Sequence, residues 1–280
     1  MVCLSQKNKR MNNITKFSNA MLLTYTTAIF LFIFLPIAGS VVFSFNSQRF
    51  PTIPLGSFSM EWYEGVVDDV DFWDAAKASL TVSLFTSIIA TFIGFCTAYT
   101  DYRYQFRGKS IFIALALLPP TIPLIIMALA MLAWFARIGI SGQIYAIIIS
   151  HSVLTIPFAM AIIRMRLNEI DPRLEAAAWN LGASEWVAVK SVIIPFCRPA
   201  IISALCLTAA ISFDEFAVAW FVSGLNKTIP VLILEIVTGN IDPRVNAVGS
   251  FVFLVSMTLV VTAQCLIMAS RLRKSNGNFK

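Results

Sequence analysis

The sequence has little of what a polar catalytic or metal site requires. Only 13% of its 280 residues are charged, and His151 is its one histidine. A soluble domain carries about 25% charged residues. A lone histidine excludes most zinc sites and most serine–histidine triads. None of the five cysteines stands in a C-x-x-C pair, so we predict no metal site and no disulfide framework. No catalytic residue is expected either, because the sequence has no paired His, Cys or carboxylate cluster beyond Asp214 and Glu215.

The chain also lacks a nucleotide-binding motif of its own. Gly108-Lys109-Ser110 has the ending of a P-loop, but the first glycine of that motif would fall on Arg103. The formal net charge is +6, yet Lys and Arg lie in short segments between apolar runs and do not cluster on a polar surface. This distribution argues against nucleic acid as a partner.

Long apolar runs are the dominant feature that is present. Hydrophobic residues make up 58% of the chain, and spanning a bilayer takes roughly 20 of them in a row. The runs predict an all-α polytopic membrane helix bundle in contact with the lipid bilayer, with residues 1–280 forming a single transmembrane domain. The first run is too long for a typical signal-peptide core, so we expect it to be a retained span. The six predicted spans are residues 21–45, 80–99, 111–135, 144–163, 200–222 and 247–269.

Proline occurs in the third predicted span, as Pro119, Pro120 and Pro123, and in the fourth, as Pro157. Proline removes a backbone hydrogen bond and kinks a helix, and in lipid the freed carbonyl groups need other partners. Such breaks usually face protein or a cavity, which makes the third span a candidate to line a pathway. A simple packing kink is the alternative.

The distribution of Lys and Arg predicts the orientation in the membrane. Sixteen of these 21 residues lie in the amino-terminal segment, the loops after spans 2 and 4, and the carboxyl tail. Because basic loops stay on the cytoplasmic side, we expect both termini to be cytoplasmic. Residues 46–77 are then outside, and their Trp and Tyr are typical of an interfacial helix, with a solvated loop as the alternative. Residues 229–237 are too few to span and indicate an interfacial or re-entrant element.

The cytoplasmic loop after span 4, about residues 171–198, has the pattern of a helical hairpin. Strong helix formers run from Arg173 to Leu181, and Gly182 can supply the left-handed residue that ends a helix. The apolar face of this first helix consists of Leu174, Ala177, Ala178 and Leu181.

A second short helix should follow the glycine. Ser184 can cap it, Glu185 is favourable in its first turn, and Pro195 should end it. An apolar hairpin tethered at both ends to spans needs a surface to bury against. That surface is either the loop's own spans or a cytoplasmic partner.

The alanine pair before Gly182, and Pro195 thirteen residues after it, resemble the EAA loop of binding-protein-dependent ABC importer permeases. In that family the coupling helix of the loop sits in a groove of a separate ATPase subunit. Aligned on Gly182, the family's usual glutamate falls on Ala176, and Glu175 lies one residue earlier, about 100° around the helix. The resemblance assigns coupling to Glu175, Ala176, Ala177, Gly182, Ala183, Ser184, Glu185 and Pro195.

Further motifs resemble the spermidine/putrescine permease subgroup, especially its second permease subunit. This resemblance implies a MetI-like permease fold in the bacterial inner membrane and import of a small, polyamine-like solute. Relatives in the subgroup carry opines or aminophosphonates, which are alternatives. The motifs are Ser44-Phe45-Asn46-Ser47, Trp62-Tyr63, Ser79-Leu80-Thr81, Phe106-Arg107-Gly108-Lys109, Ser150-His151, Pro157-Phe158, Ser212-Phe213-Asp214-Glu215 and Val245-Asn246-Ala247.

The resemblance also implies partners. A second permease would complete a heterodimeric path, two ATP-binding subunits would carry ATP and Mg²⁺, and a periplasmic solute-binding protein would deliver the solute. No cofactor is expected on this chain. An ion-coupled secondary transporter is the alternative of another class, but such transporters often carry internal repeats, and none is evident in the sequence.

Two adjacent carboxylates, Asp214 and Glu215, fall inside the fifth predicted span. A charge at that depth costs roughly 2.5–3.5 kcal/mol on insertion scales, so it usually faces protein or water. With Phe213 and Trp220 beside them, these carboxylates suit an ammonium group and are substrate-path candidates. The alternative is a structural pair that caps a broken helix or binds a partner subunit. His151 is a further path candidate, although a lone histidine in a span is more often a packed, hydrogen-bonded residue.

Overall fold

The computed structural model describes residues 2–49, 54–239, 243–258 and 261, with the backbone alone for residues 2–17 and 172. These residues are helical apart from turns, loops and one isolated β-bridge between Asn46 and Phe58. The all-α prediction is therefore confirmed. The helices are α1 (Val2–Ser44), α2 (Glu61–Val67), α3 (Val70–Arg103), α4 (Lys109–Leu117), α5 (Leu124–Arg137), α6 (Ile144–Leu167), α7 (Pro172–Asn180), α8 (Glu185–Ala188), α9 (Ile194–Asp214), α10 (Ala217–Val222), α11 (Ile229–Gly239) and α12 (Arg244–Thr258).

Four helical stretches in the described part are long and apolar enough to cross a membrane. They are Ser18–Ser44, Val70–Arg103, Ile144–Leu167 and the continuous stretch Glu185–Asp214. The first three contain the first, second and fourth predicted spans, except that the first ends one residue before the predicted Phe45. The second span begins earlier than predicted because the Asp69 side chain accepts a hydrogen bond from the Asp71 backbone N–H and caps α3 there.

The third predicted span is interrupted. Helix α4 ends at Leu117, a single 3-10 turn covers Pro119–Thr121, and α5 starts at Leu124. Three prolines within five residues remove three N–H donors, so the helical hydrogen-bond ladder cannot run through this stretch. The predicted break is confirmed, and each half is too short to cross a bilayer alone.

The last two predicted spans also differ from single straight helices. The fifth is split at Glu215 and Phe216 into α9 and α10. The first part of the sixth is α12, and residues 259–260 and 262–269 of that span lie outside the described residues. The count of six spans therefore stays a prediction.

The chain divides into two compact units, one within residues 1–66 and 241–252 and the other within residues 67–240 and 253–280. In the first unit, the Trp62 indole N–H donates to the Asn46 carbonyl at 2.7 Å. The Phe45 ring stacks on Phe58 with centroids 5.2 Å apart and packs against Tyr63 at 5.0 Å. This division into compact units does not test the prediction that residues 1–280 form one domain.

The second unit is organised by α3, α6 and α9, which pack against one another. Small residues allow this close approach. A Cβ atom added at Gly94 of α3 would lie 2.7 Å from the Cβ of Ala159 on α6, closer than atoms tolerate. The contact buries Met160 and Ile163 of α6 completely. The cytoplasmic hairpin predicted from the sequence joins α6 to α9 within this unit.

Candidate functional site

The hairpin of residues 171–198 forms as its turn residues predict. Asp171 caps α7 by accepting a hydrogen bond from the Arg173 backbone N–H at 2.9 Å. Gly182 follows α7 with φ +84°, the left-handed conformation that glycine adopts without strain. The Ser184 hydroxyl then accepts from the Val187 N–H and caps α8. The helix, the glycine stop and the serine cap are thus confirmed.

Pro195 does not end the second helix, so that prediction was wrong. A π-helical turn, Val189–Ile193, joins α8 to α9, and Pro195 is the second residue of α9. Pro195 lacks an N–H donor, but it follows the π turn directly and the helix continues through it. The wider π turn lets the chain pass from the hairpin into the long α9 without a break.

The two faces of the hairpin differ sharply. Leu181 is 89% exposed and Trp186 is 83% exposed, whereas Ala188 and Ile193 are buried. Leu181 and Trp186 lie on either side of the turn between α7 and α8, and large apolar side chains exposed in one patch typically mark an interaction site. One face therefore packs on the protein's own helices, and the other is left uncovered in the single chain. Packing on the protein's own helices is thus observed for one face, and docking of a cytoplasmic partner on the other face stays a prediction.

Glu175 faces inward. Only 4% of its surface is exposed, and its Oε2 lies 4.0 Å from Nε of Arg103, the last residue of α3. Ala176, on which the family's usual glutamate falls, is exposed. The shift of one position thus turns the carboxylate towards its own subunit. Ala177, Ala183 and Glu185 lie on or beside the two hairpin helices, the first and last of them exposed.

A buried carboxylate near the hairpin was missed by sequence reasoning. Asp101 is 6% exposed, and its two oxygens lie 2.5 Å from Arg164 Nε and 3.3 Å from Lys109 Nζ. These contacts join the ends of α3 and α6 to the start of α4. The sequence signal was an acidic residue at the end of an apolar span in a basic region. In the sequence analysis, Lys109 and Arg164 were counted only to predict the orientation in the membrane.

The structure places Asp214 and Glu215 at a break in the helix. Asp214 ends α9 and is exposed. An oxygen of the Glu215 carboxylate accepts a hydrogen bond from the Val218 backbone N–H at 2.7 Å and so caps α10. This contact is the structural alternative expected for the pair. Phe213 is buried, and Trp220, 40% exposed, packs against the Phe216 ring.

His151 is completely buried, and its Nδ1 lies 2.9 Å from the Ser212 hydroxyl. This hydrogen bond connects α6 to α9 two residues before Asp214. The histidine is therefore a packed, hydrogen-bonded residue. The break at Asp214 and the hairpin belong to opposite ends of α9, since Pro195 lies in its first turn and Asp214 is its last residue. With 1.5 Å per residue, about 30 Å separates the two ends.

Comparison with known proteins defines the family. The sequence profile of the binding-protein-dependent transport system inner membrane component family matches residues 90–275. The chain belongs to this family. It is a transmembrane permease subunit of an ABC importer and is not itself an enzyme. The alternative of an ion-coupled secondary transporter is thereby wrong.

Several relatives match over most of the permease. The spermidine/putrescine transport system permease protein PotC of Escherichia coli (strain K12) is 32% identical over 257 residues, 91% of this chain and 97% of PotC. The PotC protein of Haemophilus influenzae is 34% identical, covering 85% of this chain and 93% of that protein. The putrescine transport system permease protein PotI of E. coli (strain K12) is 29% identical, covering 80% of this chain and 82% of PotI.

Solved structures share the fold of the permease. A chain of a bacterial ABC transporter that imports the acidic polysaccharide alginate superimposes with a TM-score of 0.70 at 17% identity, covering 89% of this chain and 94% of that one. A chain of the MetNI methionine ABC transporter gives a TM-score of 0.58 at 20% identity, covering 75% and 97%. The MetI-like permease fold is therefore confirmed.

Proposed function

We propose that this permease forms, with a second permease subunit, the inner-membrane path for a polyamine such as spermidine or putrescine. The identities of 32% and 34% to PotC proteins over most of both chains carry the choice of solute. The fold does not carry it, because a transporter of an acidic polysaccharide has the same fold. Opines and aminophosphonates are the competing solutes.

The power stroke comes from a separate ATPase that docks on the hairpin. The single observation in favour of docking is that Leu181 and Trp186 are exposed on one face of the hairpin, whereas the opposite face is buried on the permease itself. A groove in the partner would remove these side chains from water, and burial of a large apolar side chain stabilises a contact by roughly 1.5–3 kcal/mol. Two such ATP-binding subunits, each with ATP and Mg²⁺, would serve the two permeases.

The proposed docking agrees with the predicted orientation of the permease in the membrane. If both termini are cytoplasmic, the hairpin lies on the side of the membrane where ATP is available. The periplasmic solute-binding protein then delivers the solute to the opposite face. Exposed Asp214, with half-exposed Trp220 nearby in the chain, offers a carboxylate and an aromatic ring to an ammonium group.

Reconstitution tests this function directly. The permease, its sibling, the ATPase and the solute receptor are placed in proteoliposomes, and uptake of radiolabelled putrescine and spermidine is measured with and without ATP. We expect ATP-dependent uptake of a polyamine that excess opine or aminophosphonate does not inhibit. Uptake by the permease alone, or inhibition by only the non-polyamine solutes, would contradict the proposal.

A further inference from the structure

Arg103 contacts two residues of the hairpin at once. Its Nε lies 4.0 Å from Glu175 Oε2, and its guanidinium carbon lies 4.7 Å from the centre of the Trp179 ring. Glu175 and Trp179 are one turn apart on α7, so they share a face of that helix. A single guanidinium group at the end of α3 therefore holds the inward face of α7.

The inward face depends on this contact. A buried carboxylate is strongly unfavourable unless a cation neutralises it, and Glu175 is 4% exposed. Within the described residues, its Oε1 and the Trp179 indole nitrogen have no hydrogen-bond partner. At 4.0 Å the Arg103–Glu175 pair is a charge contact without a hydrogen bond. Arg103 thus contributes its charge to Glu175 and a cation–π contact to Trp179.

We propose that Arg103 is a positioning residue for coupling, which locks the hairpin to α3. Helix α3 packs on α6 and α9. When the ATPase moves the hairpin, the Arg103 contact therefore passes this movement to α3 and, through α3, to α6 and α9. The inward turn of Glu175 gives the guanidinium its charge partner. This inference rests on the proposed docking of the hairpin on the ATPase.

A purely topological role for Arg103 makes a different prediction. Any cytoplasmic cation satisfies the orientation rule, so lysine would replace arginine without loss. Lysine keeps the charge but lacks the planar group that lies on an indole ring. The Arg103→Lys variant therefore separates a residue that only orients the span from one that positions α7.

The test uses the complete transporter in proteoliposomes and measures putrescine uptake and ATP hydrolysis on the same sample. The variants are Arg103→Lys, Arg103→Ala and Glu175→Gln, with exposed Arg107→Ala in the following turn as the matched control. We expect uptake per ATP hydrolysed to fall about fivefold or more in Arg103→Ala, the lower end of typical coupling between sites. Uptake per ATP hydrolysed in Arg103→Lys should lie between the values for Arg103→Ala and the unaltered protein. In Arg107→Ala it should equal the value for the unaltered protein.

The ratio of uptake to hydrolysis is informative because a general loss of structure lowers both quantities together. The double variant Arg103→Ala/Glu175→Ala should lose no more than Arg103→Ala alone, since the two residues act through one contact. If Arg103→Ala does not accumulate in the membrane, Arg103→Lys and Glu175→Gln decide the question. An unchanged ratio in the variants that assemble would overturn the role of Arg103 and leave the proposed function intact. Absence of ATP-dependent uptake in the unaltered transporter would overturn the proposed function and this inference with it.

Discussion

The Ser212 hydroxyl and the His151 ring meet at 2.9 Å inside the protein and join α9 to α6. Both residues are buried, and in the described part of the chain His151 Nε2 has no hydrogen-bond partner. The contact lies just before α9 breaks at Glu215. It therefore fixes the end of the helix from which Asp214 extends.

Removing the Ser212 hydroxyl should destabilise the permease. Ser212→Ala leaves His151 Nδ1 buried without its partner, which costs about 1–3 kcal/mol. Thermal unfolding of the purified transporter, followed by intrinsic tryptophan fluorescence, should show a lower midpoint. The control is Ser203→Ala, also on α9, whose hydroxyl donates only to the Pro199 carbonyl of its own helix. Equal midpoints for both variants would contradict a structural role for the His151–Ser212 contact.

Neutralising Asp101 should disrupt the ends of α3 and α6. Asp101→Asn leaves Arg164 and Lys109 without their carboxylate, and breaking a buried ion pair costs about 3 kcal/mol or more. The amount of folded permease in the membrane should fall, as measured by fluorescence-detected size exclusion. Asp74→Asn is the control, because the Asp74–Lys77 pair is exposed and such pairs contribute at most about 1 kcal/mol. Normal yields for Asp101→Asn would show that the cluster contributes little.

Gly182 should be essential for coupling and dispensable for insertion. Its φ of +84° strains any residue with a Cβ, by roughly 1–2 kcal/mol. Gly182→Glu adds a charge to this strain at the exposed tip of the hairpin, so ATP-driven uptake should be lost while membrane levels stay normal. Gly182→Asn should keep partial uptake, because asparagine tolerates the left-handed conformation. Unaltered uptake in Gly182→Glu would count against the hairpin as the coupling element.

Asp214 and Glu215 should differ in their effect on transport. Glu215→Gln retains an oxygen that can accept from the Val218 N–H, so the α10 cap survives and only the charge is removed. Asp214→Asn removes an exposed charge from the end of α9. If Asp214 binds an ammonium group, the Asp214→Asn transporter should have an apparent KM for putrescine about tenfold higher than the unaltered one. That is the effect of losing one charged hydrogen bond. Unchanged uptake kinetics in both variants would eliminate a cation path along these residues.

The local elements of the hairpin were predictable because they depend on neighbours in the sequence. Gly182 and Ser184 each act on backbone groups close in sequence, so their types and spacing sufficed. Asp171 caps α7 in the same local way, although the prediction did not use it. The break in the third span was predictable for the same reason, since proline acts on its own helix. The sequence could not show the π turn before Pro195, whose geometry depends on how α8 and α9 are joined.

The contacts between distant segments were not predictable. Asp101 and Arg164 are 63 positions apart, and Arg103 and Glu175 are 72 positions apart. Only the packing of α3 on α6 and α9 brings them together. The cap by Glu215 was foreseen as an alternative, because a carboxylate beside a helix break can accept from a backbone N–H three residues later.

Docking of the hairpin on an ATPase is the central claim, and site-specific crosslinking tests it most directly. Leu181→Cys is introduced into a variant whose five natural cysteines are replaced by alanine. The assembled transporter is treated with a short reagent that reacts with a thiol at one end and with lysine amines at the other. We predict a crosslink from position 181 to the ATPase, and none from a cysteine placed at exposed Phe58, in the segment predicted to lie outside. A position 181 that crosslinks only within the permease, in a transporter that still imports with ATP, would contradict the account.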